Sequence, residues 1–316
     1  MFEKIIDKIE RYDSIVLFGH LNPDGDCYGS QIALRAILKE NYPNKQIFAV
    51  GSGLSNFFHL LGKMDQVSKE TIANSLAVIL DGNDLSRSED KRVFSARDFA
   101  KIDHHIDLQS FHEGPEVIDD TATSTCELIY LFAKENKLTI PLVAAKALYL
   151  GMLTDTGRFQ YATNYVRLFD VLKDLINLGV EPVEITSILN ISSPKSLDVK
   201  AFIYNNCQKD EAGILYVLAT KKDREKLNIT HPQLTANTSL ISHVEGYPIW
   251  FIASETDNGG MQAELRSNLV NVQKVAIAFG GGGHTFAAGF TIDKYNQENI
   301  NKLLKLLKEA LKEKRG

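Results

Sequence analysis

Four short segments of the chain carry aspartate and histidine at spacings that suit metal binding. In chain order they are His20-Leu21-Asn22-Pro23-Asp24-Gly25-Asp26, then Asp81, then Asp103-His104-His105, and then Thr154-Asp155-Thr156-Gly157. Each segment alone also has an ordinary explanation, such as a turn, a helix cap or a pair of surface histidines. Four independent segments with metal-type ligands favour one shared metal site.

The chemistry of these side chains indicates which metal they suit. Carboxylates dominate, imidazoles are a minority, and we expect the thiol of Cys27 to pack into the following helix. This composition favours manganese or magnesium over a structural zinc. The ligands are too many for one ion, but they suit two ions about 3.5–4 Å apart that share a carboxylate. Such a pair is typical of phosphoester hydrolysis.

A second group of candidate residues lies near the C-terminus and points to phosphate binding. Phe279-Gly280-Gly281-Gly282-Gly283-His284 runs four glycines into a histidine. Glycines let backbone N–H groups approach an anion closely. Arg266-Ser267 precedes this run, and a guanidinium can bind a phosphate through two parallel hydrogen bonds. A tight turn between strands needs fewer glycines, so the pattern favours a phosphate site.

Alternating strands and helices must position the first group. Apolar runs over 14–20, 46–50, 76–81, 99–104 and 116–119 predict strands, and residues 30–40, 124–136, 141–153 and 166–178 predict helices. This order predicts a mostly parallel sheet with helices on both faces. In such a sheet the ligand site lies beyond the carboxyl ends of the strands. The strands should therefore bring His20, Asp81 and Asp103 to one edge.

The second half of the chain predicts a smaller α+β domain. Polar residues and a proline break the pattern over 190–195, and strands follow at 214–219, 247–253, 261–267 and 287–292. An amphipathic, lysine-rich helix over 301–314 ends the chain. We expect a catalytic domain over 1–190, a linker over 191–200 and a substrate-binding domain over 201–316. The active site is expected in the cleft between the two domains.

Composition and charge exclude several classes of protein. The chain has 316 residues, 44% of them hydrophobic and 24% charged, which is ordinary for globular domains. Only three cysteines and no apolar run of membrane length predict a cytoplasmic protein without a membrane segment. A net charge of −5 argues against binding along duplex DNA. It leaves room for a short nucleotide, because a few local cations suffice for one or two phosphates.

Taken together, these motifs resemble those of the DHH phosphoesterase superfamily. His20-x-x-x-Asp24-x-Asp26, Asp81, Asp103-His104-His105 and Asp155 are similar to its four motifs, in the same order. Arg266-Ser267 with the glycine run and His284 resembles the substrate-binding motif of the associated DHHA1 domain. The resemblance covers essentially the whole chain. The length and layout are similar to the nano-RNase A type, oligoribonucleases that also remove the phosphate of 3′-phosphoadenosine 5′-phosphate.

The resemblance implies a role for each of these residues. One ion would be held by His20, Asp24 and Asp81. The other would be held by Asp26, Asp81, His104 and Asp155, so that Asp81 is shared. Asp103 would orient the histidine pair, as carboxylates commonly do beside metal-bound imidazole, and His105 would face the substrate. The phosphate of the terminal nucleotide would be bound by Arg266, Ser267, Gly281, Gly282, Gly283 and His284.

The implied function is manganese-dependent hydrolysis of short oligoribonucleotides to mononucleotides, with dephosphorylation of 3′-phosphoadenosine 5′-phosphate to AMP. One alternative is a phosphodiesterase for linear di-adenylate (pApA), the product of cyclic di-AMP. Another is a non-catalytic nucleotide sensor, although the metal ligands are intact at all four motifs. A related pyrophosphatase carries a Ser-Arg-Lys signature in place of the glycine run, and a RecJ-type exonuclease is normally longer. For the aromatics Phe159 and Tyr161, both stacking on a base and packing in the core stay open.

Overall fold

A computed structural model describes residues 1–82, 85–105 and 114–315. The chain divides into two compact units, Met1–Ile191 and Ser192–Gly316. The strands of the first unit are β1 Ser14–Phe18, β2 Gln46–Ala49, β3 Leu76–Leu80, β4 Asp98–Asp103 and β5 Glu116–Ile118. Its α-helices are α1 Glu3–Arg11, α2 Gly25–Asn41, α3 Phe58–Leu61, α4 Lys69–Ala73, α5 Thr125–Glu135, α6 Leu142–Asp155, α7 Tyr165–Asn177 and α8 Pro182–Asn190.

The first unit is built around a five-stranded sheet in which every pairing is parallel. The strand order is β2-β1-β3-β4-β5. β1 pairs with a strand on each side, with Ile15 opposite Ile47 of β2 and Leu76 of β3. The prediction of an α/β domain with a mostly parallel sheet is confirmed. All five strands end one or two residues before the predicted end, and β1, β3 and β4 each end at, or within two residues of, a polar candidate residue of the site.

Both faces of this sheet are covered, as continuous apolar strands require. Ile15 and Leu17 of β1 pack on the side of α2, α5 and α6, in the largest apolar core of the described chain. Val16 and Phe18 alternate to the other side, where Ile72 of α4 completes a smaller core. The sheet is therefore a buried central layer between two apolar cores.

Helices α2 and α6 approach each other closely through glycines. A Cβ at Gly29 would lie 2.5 Å from the carbonyl oxygen of Ala147, and one at Gly25 would lie 2.1 Å from Thr154 Oγ1. On α6, a Cβ at Gly151 would lie 2.2 Å from Cys126 Sγ. Only glycine fits at such contacts. The close packing brings the N-terminus of α2 beside the C-terminus of α6, where Asp26 and Asp155 stand.

The second unit is a mixed α+β structure, as the sequence predicted. Its strands are β6 Gln208–Asp210, β7 Ile214–Ala219, β8 Ile249–Glu255, β9 Met261–Ser267, β10 Gly282–His284 and β11 Ala287–Ile292. Its helices are α9 Pro194–Asn205, α10 Lys221–Leu227, α11 His231–Thr235, α12 Gln273–Ile277 and α13 Gln297–Arg315. The sheet order is β10-β11-β9-β8-β7-β6, antiparallel except for β7 with β8.

Much of the segment predicted as a linker, 191–200, is helical. Ser193 caps α9 by accepting a hydrogen bond from the Ser196 N–H, and Pro194 occupies the first helical position. A serine cap followed by proline is a helix start signal. The residues that interrupt one helix therefore begin the next, which the sequence pattern alone did not distinguish from a linker.

The last helix, α13, is amphipathic as its sequence predicted. Leu303, Leu307 and Leu311 are buried against the second sheet, whereas Lys302 and Lys305 are exposed. Lys308 pairs with Asp210 at 2.7 Å. Within the described residues, no helix combines the length and the apolar character that crossing a bilayer requires.

Candidate metal centre

The loop between β1 and α2 delivers the first histidine and two aspartates. Asp24 caps α2, and its Oδ1 accepts hydrogen bonds from the N–H groups of Asp26 and Cys27, each at 3.0 Å. Asp26 lies in the first turn of α2 and is 1% exposed. The positive end of a helix dipole favours carboxylates at these positions.

His20 reaches the centre from the same loop. Its Nδ1 lies 3.0 Å from the carbonyl oxygen of Leu21, which suits an Nδ1–H donor. Its Nε2 then lies 3.4 Å from Asp81 Oδ2 and 3.8 Å from Asp24 Oδ1. Such an arrangement leaves Nε2 for a metal ion, because the hydrogen bond at the other ring nitrogen sets the tautomer.

Asp81 lies at the middle of the candidate centre. It directly follows β3, is 2% exposed, and has a φ of 57°, in the left-handed region. Its Oδ2 faces His20, whereas its Oδ1 lies 3.7 Å from His104 Nε2 and 3.5 Å from His105 Nδ1. Non-glycine residues held in this backbone region cluster at functional sites. One carboxylate thus presents its two oxygens to imidazoles on two sides.

A second cluster forms on the other side of Asp81. The Nε2 atom of His104 lies 3.8 Å from Asp26 Oδ2 and 3.5 Å from Asp155 Oδ2. The ligand atoms of Asp26, His104 and Asp155 all lie within 4.8 Å of one another. The structure thus brings together all six residues predicted as metal ligands.

The N-terminus of α5 holds Asp26 in place. Its Oδ2 accepts the N–H of Thr125 at 2.6 Å, and its Oδ1 accepts the N–H of Cys126 at 2.9 Å. The hydroxyl of Thr125 also donates to Asp81 Oδ1 at 3.2 Å. These supporting contacts were not predicted. The pattern Ser124-x-x-Glu127 marks the start of a helix, but nothing in it shows that the helix contacts Asp26.

The crowding of carboxylates in the cluster favours binding of a cation. Burial raises the pKa of Asp26, and the charges of Asp81 and Asp155 raise it further. Burial also raises the pKa of Asp155 to about 6; the neighbouring aspartates add to this effect and His104 opposes it. In the described part of the chain, His104 Nε2 is buried without a hydrogen-bond partner. A free imidazole nitrogen facing crowded carboxylates is the donor set that a divalent ion satisfies.

Asp103 and His105 form a pair beside this cluster. Asp103 ends β4, is fully buried, and its Oδ1 lies 2.8 Å from His105 Nδ1. Burial opposes ionisation, yet the hydrogen bond from His105 leaves the pKa of Asp103 below its ordinary value. The same bond raises the pKa of His105, whose side chain is 47% exposed. His105 lines a cavity of ≈ 230 Å³ with His20, Asp24, Asp81, Gly82 and Arg87.

The thiols near the centre are buried and packed against neighbouring residues. Cys27 is fully buried, and its Sγ accepts the N–H of His20 at 3.3 Å. Burial raises the pKa of Cys27 to about 11 and also raises the pKa of Cys126. Both side chains are therefore neutral thiols at ordinary pH, in line with the expectation that Cys27 packs into α2.

In the second unit, cross-strand pairing places Arg266 and His284 on one face of the sheet. Ala287 of β11 lies opposite both of them, Arg266 on β9 and His284 on β10. Residues directly opposite in a pleated sheet share a face. Arg266 Nη1 donates to Glu264 Oε2 at 3.1 Å, and His284 is exposed. Arg266 and His284, both predicted to bind phosphate, therefore lie on the same face of the sheet, with β11 between their strands.

Ser267 and two of the glycines stabilise the local structure, a turn and a hairpin. The hydroxyl of Ser267 donates to the carbonyl of Pro248 at 3.0 Å and accepts two backbone N–H groups of the next turn. A Cβ at Gly281 would lie 2.2 Å from the Gly289 carbonyl oxygen, and one at Gly283 would lie 2.6 Å from that of Ala287. Around Gly282, in contrast, a Cβ would meet nothing within 4 Å. Close packing of the hairpin thus explains two of the glycines.

Comparison with known protein families covers both units. The family model described as "DHH family, N-terminal domain" matches residues 14–152, and the one described as "DHHA1 domain" matches residues 208–313. All the predicted metal ligands except Asp155 fall within the first match, and Arg266 and the glycine run fall within the second.

Two named relatives are similar over almost the whole chain. The "Bifunctional oligoribonuclease and PAP phosphatase NrnA" of Mycoplasma genitalium is 33% identical over 299 residues, which cover 92% of each chain. The protein of the same name from Bacillus subtilis is 30% identical over 316 residues, which cover 99% of each chain. A solved "exopolyphosphatase-related protein" from Bacteroides fragilis shares the fold, with a TM-score of 0.84 at 22% identity, covering 98% of this chain and 96% of the other.

Proposed function

This chain belongs to the DHH family of phosphoesterases, with a DHHA1 domain as its second unit, and on that premise we propose its substrates. It hydrolyses short oligoribonucleotides to mononucleotides and removes the phosphate of 3′-phosphoadenosine 5′-phosphate to leave AMP. The support comes from relatives named for both activities at 30% and 33% identity over nearly the full chain. The activity depends on two divalent ions, most suitably manganese.

The observation that carries this proposal is that the two carboxylate oxygens of Asp81 face two different groups of candidate ligands. In the proposal, His20, Asp24 and Asp81 hold one ion, and Asp26, Asp81, His104 and Asp155 hold the other. When bound, the ions would supply Lewis-acid activation of a water molecule and neutralise charge on the phosphoryl oxygens. Oxygen donors with a minority of imidazole suit manganese.

His105 acts at the substrate in this proposal. Its raised pKa favours the protonated imidazolium, which can donate a hydrogen bond or a proton to a phosphoryl or leaving oxygen. Asp103 holds the ring through the 2.8 Å contact with Nδ1, which leaves Nε2–H for the substrate. Asp103 is accordingly a positioning residue, and His105 is the catalytic residue of the pair.

The second unit binds the phosphate at the end of the nucleotide. Arg266 provides a cationic donor and His284 an imidazole donor on one sheet face, and the open space around Gly282 lets an anion approach the backbone. Glu264 competes with the substrate for the Arg266 guanidinium, because the two side chains are paired at 3.1 Å. Ser267 contributes indirectly, by fixing the turn that follows β9.

The setting of this activity is the cytoplasm, and its substrates are short strands. The cysteines Cys27, Cys126 and Cys207 are all free thiols, which suits a reducing compartment. The net charge of −5 disfavours long duplex DNA, since most affinity for duplex DNA comes from its phosphates.

The test is a time course with manganese on three substrates in parallel: a short oligoribonucleotide, 3′-phosphoadenosine 5′-phosphate and linear di-adenylate. We expect release of mononucleotides from the first and of AMP from the second. Asp81→Asn should abolish both, whereas the exposed Asp7→Asn on α1 should change neither. Cleavage confined to di-adenylate would instead make the protein a second-messenger phosphodiesterase. Tight nucleotide binding without any hydrolysis would make it a sensor.

A further inference from the structure

The loop that follows Asp155 has an unusual backbone. Gly157, Arg158 and Phe159 are three successive residues with left-handed φ angles of 55°, 61° and 67°. Two of the three are not glycine, and such residues are held in this region only where the surroundings determine them. The turn therefore fixes the direction in which the next side chains leave the end of α6.

Hydrogen bonds hold this turn in one arrangement. The N–H of Arg158 donates to the carbonyl of Leu153 at 2.8 Å, and the N–H of Tyr161 donates to the carbonyl of Thr156 at 3.0 Å. The hydroxyl of Thr156 accepts the N–H of Phe159 at 2.9 Å. Because Thr156 is 1% exposed, the loop is anchored in the interior one residue from Asp155.

The two aromatic residues of the loop have opposite environments. Phe159 packs inward, with its ring edge-to-face on Tyr149 at 6.1 Å and near Phe169 at 6.3 Å. Tyr161 is 65% exposed, and its ring lies on Gly157, where a Cβ would be 2.8 Å from its Cδ2. Phe159 is therefore a core residue, whereas the ring of Tyr161 is open for stacking on a base.

We propose that the exposed ring of Tyr161 stacks on the nucleobase beside the phosphoester that is cleaved. This rests on the proposed function, because it needs a nucleotide whose phosphate lies at the metal ligands. Every nucleobase has a π face, so stacking on an aromatic ring tolerates any base. The anchored loop and the glycine beneath the ring reduce the conformational freedom that binding must remove.

Stacking of a base on Tyr161 explains how one site accepts both an oligoribonucleotide and a single bisphosphorylated nucleotide. Both substrates present a base attached to the ribose that carries the reacting phosphate. Stacking adds affinity for this shared unit without reading the identity of the base. Tyr161 is therefore a specificity residue for nucleotides against phosphate esters that lack a base.

The test compares Tyr161→Leu, Tyr161→Ala and Tyr161→Phe with the wild-type protein. The substrates are an intact diribonucleotide and two analogues, each lacking one of its bases. For the intact substrate, the Leu and Ala variants should raise KM on the order of tenfold with little change in kcat, and Phe should behave as wild type. For the analogue that lacks the stacked base, wild type and Tyr161→Leu should share the same KM.

Phe94→Ala is the matched control. Phe94 is 59% exposed, but it lies in the segment that leads into the start of β4, at the sheet edge opposite to Asp103. Its removal should leave both kinetic constants unchanged. Tyr161→Leu keeps an apolar side chain over Gly157. An increased KM in this variant is therefore not explained by misfolding of the loop, as it could be for Tyr161→Ala.

Two negative results separate the two proposals. If the wild-type protein cleaves none of these substrates, the proposed function fails, and the role of Tyr161 fails with it. If the wild-type protein cleaves them and Tyr161→Leu leaves KM unchanged, or raises it equally for all three substrates, only the stacking role is overturned.

Discussion

At the scale of single residues, Asp81 is the most demanding position of the candidate centre. Its Oδ2 faces His20 at 3.4 Å, and its Oδ1 faces His104 at 3.7 Å. An asparagine there would lose the negative charge that both proposed ions share, and it would turn an NH₂ group towards one of them. The substitution therefore weakens both ion sites at once, which no other ligand substitution does.

We predict that Asp81→Asn lowers the rate of AMP release by more than about 100-fold. This exceeds the loss that is usual when a residue that only hydrogen-bonds to a metal ligand is replaced. Calorimetric titration with manganese should show that both binding events are lost. Retention of one undisturbed binding event would contradict a shared carboxylate. Asp7→Asn, on the exposed side of α1, serves as the control.

Asp155 provides a prediction about pH. Its pKa in the metal-free protein is raised to about 6 from an ordinary value of 3.8, chiefly by burial. A raised carboxyl pKa contributes stability at low pH that is lost as the pH rises through the folded-state value. In chelator, the melting temperature of Asp155→Asn should therefore rise increasingly above that of wild type from about pH 4 to about pH 7, and the difference should then stay constant.

Manganese should reverse this order, because the ionised carboxylate becomes a ligand that the amide cannot replace. Thermal melts of both proteins, with and without manganese, measure the effect. A difference in melting temperature that stays constant from about pH 4 to about pH 7 in chelator would contradict a raised pKa of Asp155.

At the scale of elements, the contact between α2 and α6 sets the spacing of the ligands. Gly151→Ala would raise helix propensity, yet its Cβ would lie 2.2 Å from Cys126 Sγ and 2.7 Å from Asp26 Oδ1. We predict a net loss of unfolding free energy of about 1–3 kcal/mol, typical of an overpacked interior. Manganese affinity should fall with it, because Asp26 must move.

Cys126→Ala combined with Gly151→Ala is the matched test. Removing the sulfur relieves the shortest contact, so the double variant should be less destabilised than the sum of the single variants. Denaturant unfolding measures all three. Strict additivity would contradict the contact between Gly151 and Cys126.

Elements were also the scale at which sequence reasoning worked best. The apolar runs of β1 and β3 are unambiguous, and the ends of parallel strands necessarily meet at one edge. That rule was enough to bring His20, Asp81 and Asp103 together. The hydrogen bonds from α5 to Asp26 join residues 99 and 100 positions apart, and no local pattern encodes them.

The second unit shows where local patterns mislead. Ser267 has the composition of a phosphate ligand, but its hydroxyl is used by its own turn. Gly281 and Gly283 are required by the hairpin, so a count of glycines overstates the evidence for an anion site. Similarly, Ser193-Pro194 begins α9 within the segment predicted as a linker, because helix breaks and helix starts use the same residues.

At the scale of the whole molecule, the proposal assigns metal binding to the first unit and phosphate binding to the second. The first holds the metal ligands, and the second holds Arg266 and His284. We predict that Arg266→Ala raises KM about 10- to 100-fold for phosphate-ended substrates, in keeping with a charge-assisted hydrogen bond. Manganese binding should stay unchanged, because all the proposed metal ligands lie in the first unit.

Arg266→Lys separates charge from geometry. Lysine keeps the positive charge but loses the paired donors of the guanidinium, so an intermediate KM is expected. Steady-state kinetics with 3′-phosphoadenosine 5′-phosphate provide the readout. Equal KM values for wild type, Lys and Ala would show that the second unit binds phosphate elsewhere.

The most direct measurement is anomalous X-ray scattering from a crystal grown with manganese. We predict two peaks that flank the Asp81 carboxylate, one near His20 and Asp24 and the other near Asp26, His104 and Asp155. Both peaks should be absent from crystals of Asp81→Asn. A single peak remote from Asp81, or two peaks that survive the substitution, would contradict a two-metal phosphoesterase centred on this residue.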